Sequence, residues 1–293
     1  MTIEQPNIIK GSLYAIVGFF CMALFGILTK VAIQTSSAFW VSFLAYLTGS
    51  TILLPYIIKN GFGYLKSEHY SYLIGRAVFG TIASLLYTIS IHYIPIVNST
   101  LLFNTAPIFI PLLMLLFLKV KIEKSIWIAV AIGFIGIIFI IRPTEAIFTH
   151  TGNFIALISG LSLAVAYLLM KLLTNTDPGI RIIFYYLGIG ALIQVPLLFF
   201  IPSYPSLEAI FFAVLSGAAL LTAQLSLVHG YKYAEASQIG IYQYVSVVFV
   251  GMFDWLIWDI VPKTLDLVGV LLVITAGVII IHNNHSKNGI PSK

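Results

Sequence analysis

Two short stretches of this 293-residue chain hold most of the side chains that could do chemistry. The first, YIPIVNSTLLFNTAPIFIP at residues 93–111, carries Asn98, Ser99, Thr100, Asn104 and Thr105 and is interrupted by Pro95, Pro107 and Pro111. The second, EASQIGIYQYVSVVFVGMFDWLIWD from residue 235, gathers Gln238, Tyr242, Gln243, Tyr244 and Ser246 in its first half. Amides and hydroxyls both donate and accept hydrogen bonds, so the chemistry they offer is recognition of a polar molecule. The rest of each stretch is apolar, which raises the question of what satisfies such groups away from water.

Composition supplies the setting. The chain is 60% hydrophobic and 9% charged, against roughly 45–50% apolar and about 25% charged for soluble domains. Apolar runs of about 20 residues recur from end to end, as membrane-spanning helices require, and they leave almost no length for a soluble domain. The run at residues 12–30 is too long for a signal-peptide core and is read as a retained helix. The formal charge of +5 is scattered over short loops, which argues against nucleic acid as a partner. Cys21 is alone and cannot form an internal disulfide. There is no HExxH, no Walker loop and no Cys/His metal spacing, so the expectation is no enzyme, no cofactor, no metal and no ATP-driven step in this chain.

Apolar runs and turn signals predict an all-α integral membrane protein with ten transmembrane helices, near 12–32, 38–58, 71–92, 97–118, 124–142, 153–173, 180–201, 207–230, 236–258 and 265–282. Cytoplasmic termini leave only Lys30, Arg142 and Lys263, of the 15 Lys and Arg, on the outer side, as the positive-inside rule requires. Trp40, Trp127, Trp255 and Trp258 fall near span ends, where amphipathic rings settle. The chain also resembles itself. GSLYAIVGFFCMALFGILTK at 11–30 aligns without gaps on GNFIALISGLSLAVAYLLMK at 152–171, and Gly136 and Gly277 recur at the same offset of 141. Five helices per half is an odd number, so residues 1–146 and 147–293 are expected to form two inverted five-helix repeats, the architecture of many secondary transporters.

Within this frame Thr100 and Asn104 share one face of helix 4, with Pro107 a turn further, and Asn104 lies about 10 Å from the helix start. The repeat offset sets Asn104 opposite Gln243 or Tyr244 in helix 9. Tyr87, Tyr167 and Gln224 are further candidates for the lining of a shared polar chamber, with Phe25 as a stacking wall. Lys30 and Lys171 are the candidate gating charges, against the alternative that they only snorkel to the interface. His92, His229 and Asp254 fall near span ends and are read as packed or interfacial. Polar side chains in membranes can also serve simply as glue between helices.

RAVFGTIASLLYTISIHYIPIVNSTLLFNTAPIFIPLL and the later LVHGYKYAEASQIGIYQYVSVVFVGMFDWLIWD resemble the EamA branch of the drug/metabolite transporter superfamily over nearly the whole chain. The resemblance implies a ten-helix inverted-repeat carrier with a central cavity for small organic metabolites such as amino acids, purines or S-adenosylmethionine. Pro107 matches the family's helix 4 proline, and Ala234 to Ser237 match its entry to helix 9. Two departures are visible: LKVK at 118–121 replaces an acidic residue, and FWVSFLAY lacks an arginine early in helix 2. The expectation is a secondary transporter working by alternating access in a bacterial cytoplasmic membrane, with a small metabolite and lipid as partners and room for a homodimer. The alternative is a lipid flippase component or a partner-binding membrane scaffold.

Overall fold

In a computed structural model, residues 7–90, 93–94, 96–141, 151–201, 204–259, 261 and 263–288 are described, the side chains at 96–98, 141, 254 and 283–288 excepted. The described elements are all helical. They are α1 (Ile8–Ala32), α2 (Ala38–Asn60), a 3-10 turn (Phe62–Leu65), α3 (Tyr70–Ser90), α4 (Ile96–Phe103), α5 (Ala106–Phe117), α6 (Lys124–Ile141) and α7 (Gly152–Leu173). There follow α8 (Gly179–Leu198), α9 (Leu207–Tyr233), α10 (Ala236–Ile241), α11 (Gln243–Trp258) and α12 (Thr264–Asn288). Among the described residues, nine segments are long and apolar enough to cross a membrane, and a tenth apolar helix, Lys124–Ile140, is shorter.

Helices 4 and 9 of the sequence reading are each two helices, broken at Asn104 and Thr105 and at Tyr242. The expected spans 97–118 and 236–258 match the apolar segments Ser99–Phe117 and Ala236–Trp258, each of which contains one of these breaks. Apolar side chains such as Phe117, Leu192 and Leu271 face outward, while Arg76, Asn104, Gln194, Gln224 and Gln243 are buried. That inversion of the soluble pattern is what lipid demands, since polar groups must find partners inside the bundle.

Packing pairs α1 with α9, α3 with α7, and α6 with α12, while α2 lies against α8 and α9, and α7 against α4 and α5. Small residues allow the backbones to approach. A Cβ on Gly11 would sit 3.0 Å from the Ala234 Cβ, and one on Gly152 would sit 2.7 Å from the Tyr93 Cβ. Lys119 and Asp259 follow α5 and α11 in the left-handed region, at φ of 53° and 54°. After α5 the Val120 N–H donates to the Met114 carbonyl at 3.3 Å, closing the helix in a left-handed cap.

A polar latch joins the α2–α3 connection to the α7–α8 connection. Arg181 Nη1 donates to Asp177 Oδ1 at 2.7 Å, Arg181 Nε donates to the Tyr64 carbonyl at 2.7 Å, and the Tyr185 hydroxyl donates to the Leu65 carbonyl at 3.1 Å. His69 Nδ1 stands 3.9 Å from Asp177 Oδ2. Burial by itself would push the Asp177 carboxyl up, but hydrogen bonds from Arg181, Ser67 and Thr176 hold it below its ordinary 3.8. A depressed carboxyl contributes stability that is full above the ordinary value and lost as pH falls through the lower, folded one. Asp177→Asn is therefore expected to cost about 1–3 kcal/mol, read as a lower thermal midpoint in detergent. The gap should persist at every pH above 3.8 and close only in stronger acid. A midpoint unchanged by the substitution at neutral pH would show that the latch does not stabilise the fold.

Candidate functional site

The two helix breaks meet each other. At the first, the Asn104 N–H donates to the Thr100 carbonyl at 3.0 Å and the Thr105 N–H reaches only three residues back, to Leu102 at 3.2 Å. Helix α5 then restarts with Pro107 in its first turn, where a missing donor costs little. Pro107, expected as the helix break, thus opens the second helix just after the interruption at Asn104 and Thr105. At the second break the Tyr242 N–H reaches three residues back, to Ile239 at 3.1 Å. Gly240, just before it, packs so closely that a Cβ would lie 2.6 Å from Ile110 Cδ1 on α5.

Across this junction Gln243 Nε2 donates to Asn104 Oδ1 at 3.2 Å, and Asn104 Nδ2 donates to the Thr100 carbonyl at 2.9 Å. The Tyr87 hydroxyl shares a 2.9 Å hydrogen bond with Thr100 Oγ1, and its ring lies 5.0 Å from that of Phe103. Gln243 Oε1 is buried without a partner. Asn104, Gln243, Thr100 and Tyr87 therefore form one cluster. Tyr244 does not join it. Its ring fills the space beside Gly133 on α6, where a Cβ would come within 2.4 Å of Tyr244 Cδ2, and its buried hydroxyl has no partner. Phe25 is half-buried and packs against the main core.

The two lysines sit at helix ends in different settings. Lys171 Nζ donates to the Tyr231 carbonyl at 2.8 Å and the Ala234 carbonyl at 2.9 Å, and lies 3.7 Å from Glu235 Oε1. It caps the C-terminus of α9, where a cation complements the helix dipole. Lys30 Nζ lies 3.9 Å from the centre of the Trp258 ring. His229 is packed, with Nδ1 2.7 Å from the Leu225 carbonyl and its ring stacked on Tyr14. His92 and the side chains of Asn98 and Asp254 lie outside the described residues.

A second polar layer has a residue at its centre that the sequence reading counted only as a loop positive. Arg76 lies six residues into α3, about 9 Å along its axis, and is 1% exposed. Its Nη2 donates to Gln224 Oε1 at 2.9 Å, and its guanidinium carbon stands 4.0 Å above the Tyr186 ring. Tyr186 and Tyr46 share a hydroxyl hydrogen bond of 2.6 Å, and Tyr167 packs on Tyr231 at 6.0 Å between centroids. Arg76 Nε and Nη1 and the Tyr231 hydroxyl are buried without hydrogen-bond partners. Placing an arginine at such depth costs about 2.5–3.5 kcal/mol on insertion scales, so its retention calls for an explanation. The clue was available in LIGRAVFG, where Arg76 follows the polar Lys66 to His69 segment by two helical turns and lies between Gly75 and Gly80.

Long apolar helices around a buried polar interior define a polytopic helical membrane protein. The chain belongs to the EamA-like transporter family, whose model matches it twice, over residues 9–142 and 150–282. It is 24% identical over 270 residues to the pseudopaline exporter CntI of Pseudomonas aeruginosa (strain UCBPP-PA14), covering 91% of this chain and 94% of that protein. It is 23% identical over 277 residues to the S-adenosylmethionine uptake transporter of Rickettsia bellii (strain RML369-C), covering 91% and 93%. A solved crystal structure shares the fold, with a TM-score of 0.79 at 13% identity over 93% of this chain and 96% of that one. The protein is a multi-pass transporter of a bacterial inner membrane.

Proposed function

We propose that the protein is a secondary carrier of a small polar organic metabolite, in the amino-acid, nucleoside or S-adenosylmethionine range. It works by alternating access between two inverted halves of five crossings, residues 1–146 and 147–293, with both termini cytoplasmic. The observation that carries this reading is the contact between Asn104 and Gln243, because it joins the broken crossing of one half to the broken crossing of the other. Interrupted helices free polar groups at depth where they can grip a solute, and they let each half rock about a fixed site.

Reciprocal packing supports the two-fold relation. The pairing of α1 with α9 is matched by that of α7 with α3. Gly11 meets the α9–α10 junction at Tyr233 and Ala234, and its repeat counterpart Gly152 meets Tyr93 and Ile94 after α3. Tyr46 and Tyr186, within one position of each other in the two halves, touch through their hydroxyls as residues near a two-fold axis would. The double match of the family model points the same way. In this mechanism Asn104, Gln243, Thr100 and Tyr87 form the substrate face, while Tyr167 and Gln224 belong to the deeper layer. Pro107 permits the hinge between α4 and α5, and Lys30 and Lys171 hold opposite ends of the bundle. The relatives named for pseudopaline and S-adenosylmethionine set the first compounds to test.

Counterflow in proteoliposomes tests the reading. Vesicles preloaded with unlabelled S-adenosylmethionine, amino acids or nucleosides are expected to accumulate a trace of the matching labelled compound transiently, above vesicles lacking the protein. Failure of every compound in such a panel to exchange would remove the carrier mechanism.

A further inference from the structure

We infer that Arg76 is the anchor for a carboxylate on the transported molecule, so that the substrate class is a monocarboxylate such as an amino-acid derivative. This deepens the transport reading and rests on it. The starting observation is a charge with no counter-charge. Arg76 and Asp177 are the only fully charged side chains buried among the described residues, and Asp177 is paired with Arg181 in the latch. No salt bridge to Arg76 is present among the described residues.

The surroundings orient the guanidinium and leave donors over. The Tyr186 ring supports one face and Gln224 takes one hydrogen of Nη2. Nε and Nη1 remain without partners, and Nη2 keeps a second hydrogen. The hydrogen left on Nη2 points toward one of these two nitrogens, and with that neighbour it can make a two-point grip on a carboxylate. Arg76 also lies within electrostatic reach of the Tyr46, Tyr167 and Tyr231 hydroxyls, and the Tyr231 hydroxyl is itself unpartnered. One buried positive charge matches one negative charge. A phosphate monoester, which carries nearly two, would leave an uncompensated charge at the same depth.

Gly80 is part of the same device. A Cβ there would lie 2.3 Å from Arg76 Nη1 and 2.8 Å from Tyr186 Cε2, so the bare backbone one turn along α3 makes room for the guanidinium. An interfacial arginine that merely snorkels would need neither this space nor an aromatic support.

The test uses the full chain in nanodiscs and measures affinity for matched acids and amines: S-adenosylmethionine and its decarboxylated form, methionine and 3-methylthiopropylamine, tryptophan and tryptamine, arginine and agmatine. At least one acid is expected to bind about ten-fold or more tightly than its amine, the scale of a charge-assisted hydrogen bond. Arg76→Gln should abolish that preference, and Gly80→Ala should reduce it by displacing the guanidinium. The assignment is overturned if no acid outbinds its amine, if inorganic phosphate competes as well as the acid, or if the preference survives in Arg76→Gln. Should Arg76→Gln fail to insert, an undiminished preference in Gly80→Ala overturns it instead. Counterflow of the same compounds separates the two claims. Exchange without any acid preference removes only the Arg76 assignment, whereas acid-selective binding without exchange removes the carrier mechanism.

Discussion

Replacing Gln243 by leucine is expected to slow counterflow at least about ten-fold, equivalent to about 1.4 kcal/mol, while the thermal midpoint falls only slightly. Leucine has nearly the volume of glutamine, so packing between α10, α11 and α5 is kept. What disappears is the donor to Asn104 Oδ1 and the unpartnered Oε1 that could receive a hydrogen bond from a solute. Hydrogen bonds between helices in membranes are worth ~0.6 kcal/mol on average in double-mutant cycles, so the loss in stability should be of that size. Asn104→Leu should slow transport similarly, and the double variant should be little slower than either single one, because the two amides act on one ligand. A pair serving only as interhelical glue gives a different outcome: all three variants lose stability and transport at the wild-type rate.

Gly160→Leu is expected to remove nearly all folded protein. A Cβ at Gly160 would come within 2.6 Å of the Leu102 carbonyl oxygen and 2.7 Å of Thr105 Oγ1. A backbone oxygen beside a helix break cannot swing aside as a side chain can. The whole junction of α4 and α5 would have to move off α7, at a cost of about 3 kcal/mol or more. Gly188→Leu in α8 is the control, since a Cβ there meets nothing within 4 Å. Size-exclusion profiles after detergent extraction should therefore show a monodisperse peak for Gly188→Leu and almost none for Gly160→Leu. Equal peaks would mean that α7 does not depend on close contact with the broken helix.

Much of this arrangement was legible from residue order alone. A run of some 20 apolar residues has few fates other than a membrane helix, so the positions of α1, α2, α3, α7, α8 and α9 followed from hydropathy to within a few residues. The density of amides and hydroxyls around Asn104 and Gln243 likewise marked those segments, because lipid offers such groups no partners. The matched glycines at 11 and 152 are the residue-order signal for a repeat. Hydropathy, however, takes no notice of backbone continuity. Nothing in the composition of QIGIYQYVS announces that the helix stops at Tyr242, since no proline is present there, and the break is expressed only in the pattern of backbone hydrogen bonds.

Side-chain direction was the other quantity beyond reach. Successive helical residues point about 100° apart, so Gln243 and Tyr244 could not both face Asn104. Only the packing of α6 against α12 and α11 settled that the amide does so, leaving the phenol beside Gly133. Arg76 shows the same division. From residue order it is one more positive charge near one end of a span, because a long flexible side chain at that position can reach back to the interface. Tyr186, Gln224 and Gly80, drawn from α8, α9 and the next turn of α3, hold it inward. Helix content and polarity are properties of local stretches, which the order of residues records directly. Where a charge ends up depends on neighbours far away in the chain, and those meet only once the bundle has closed.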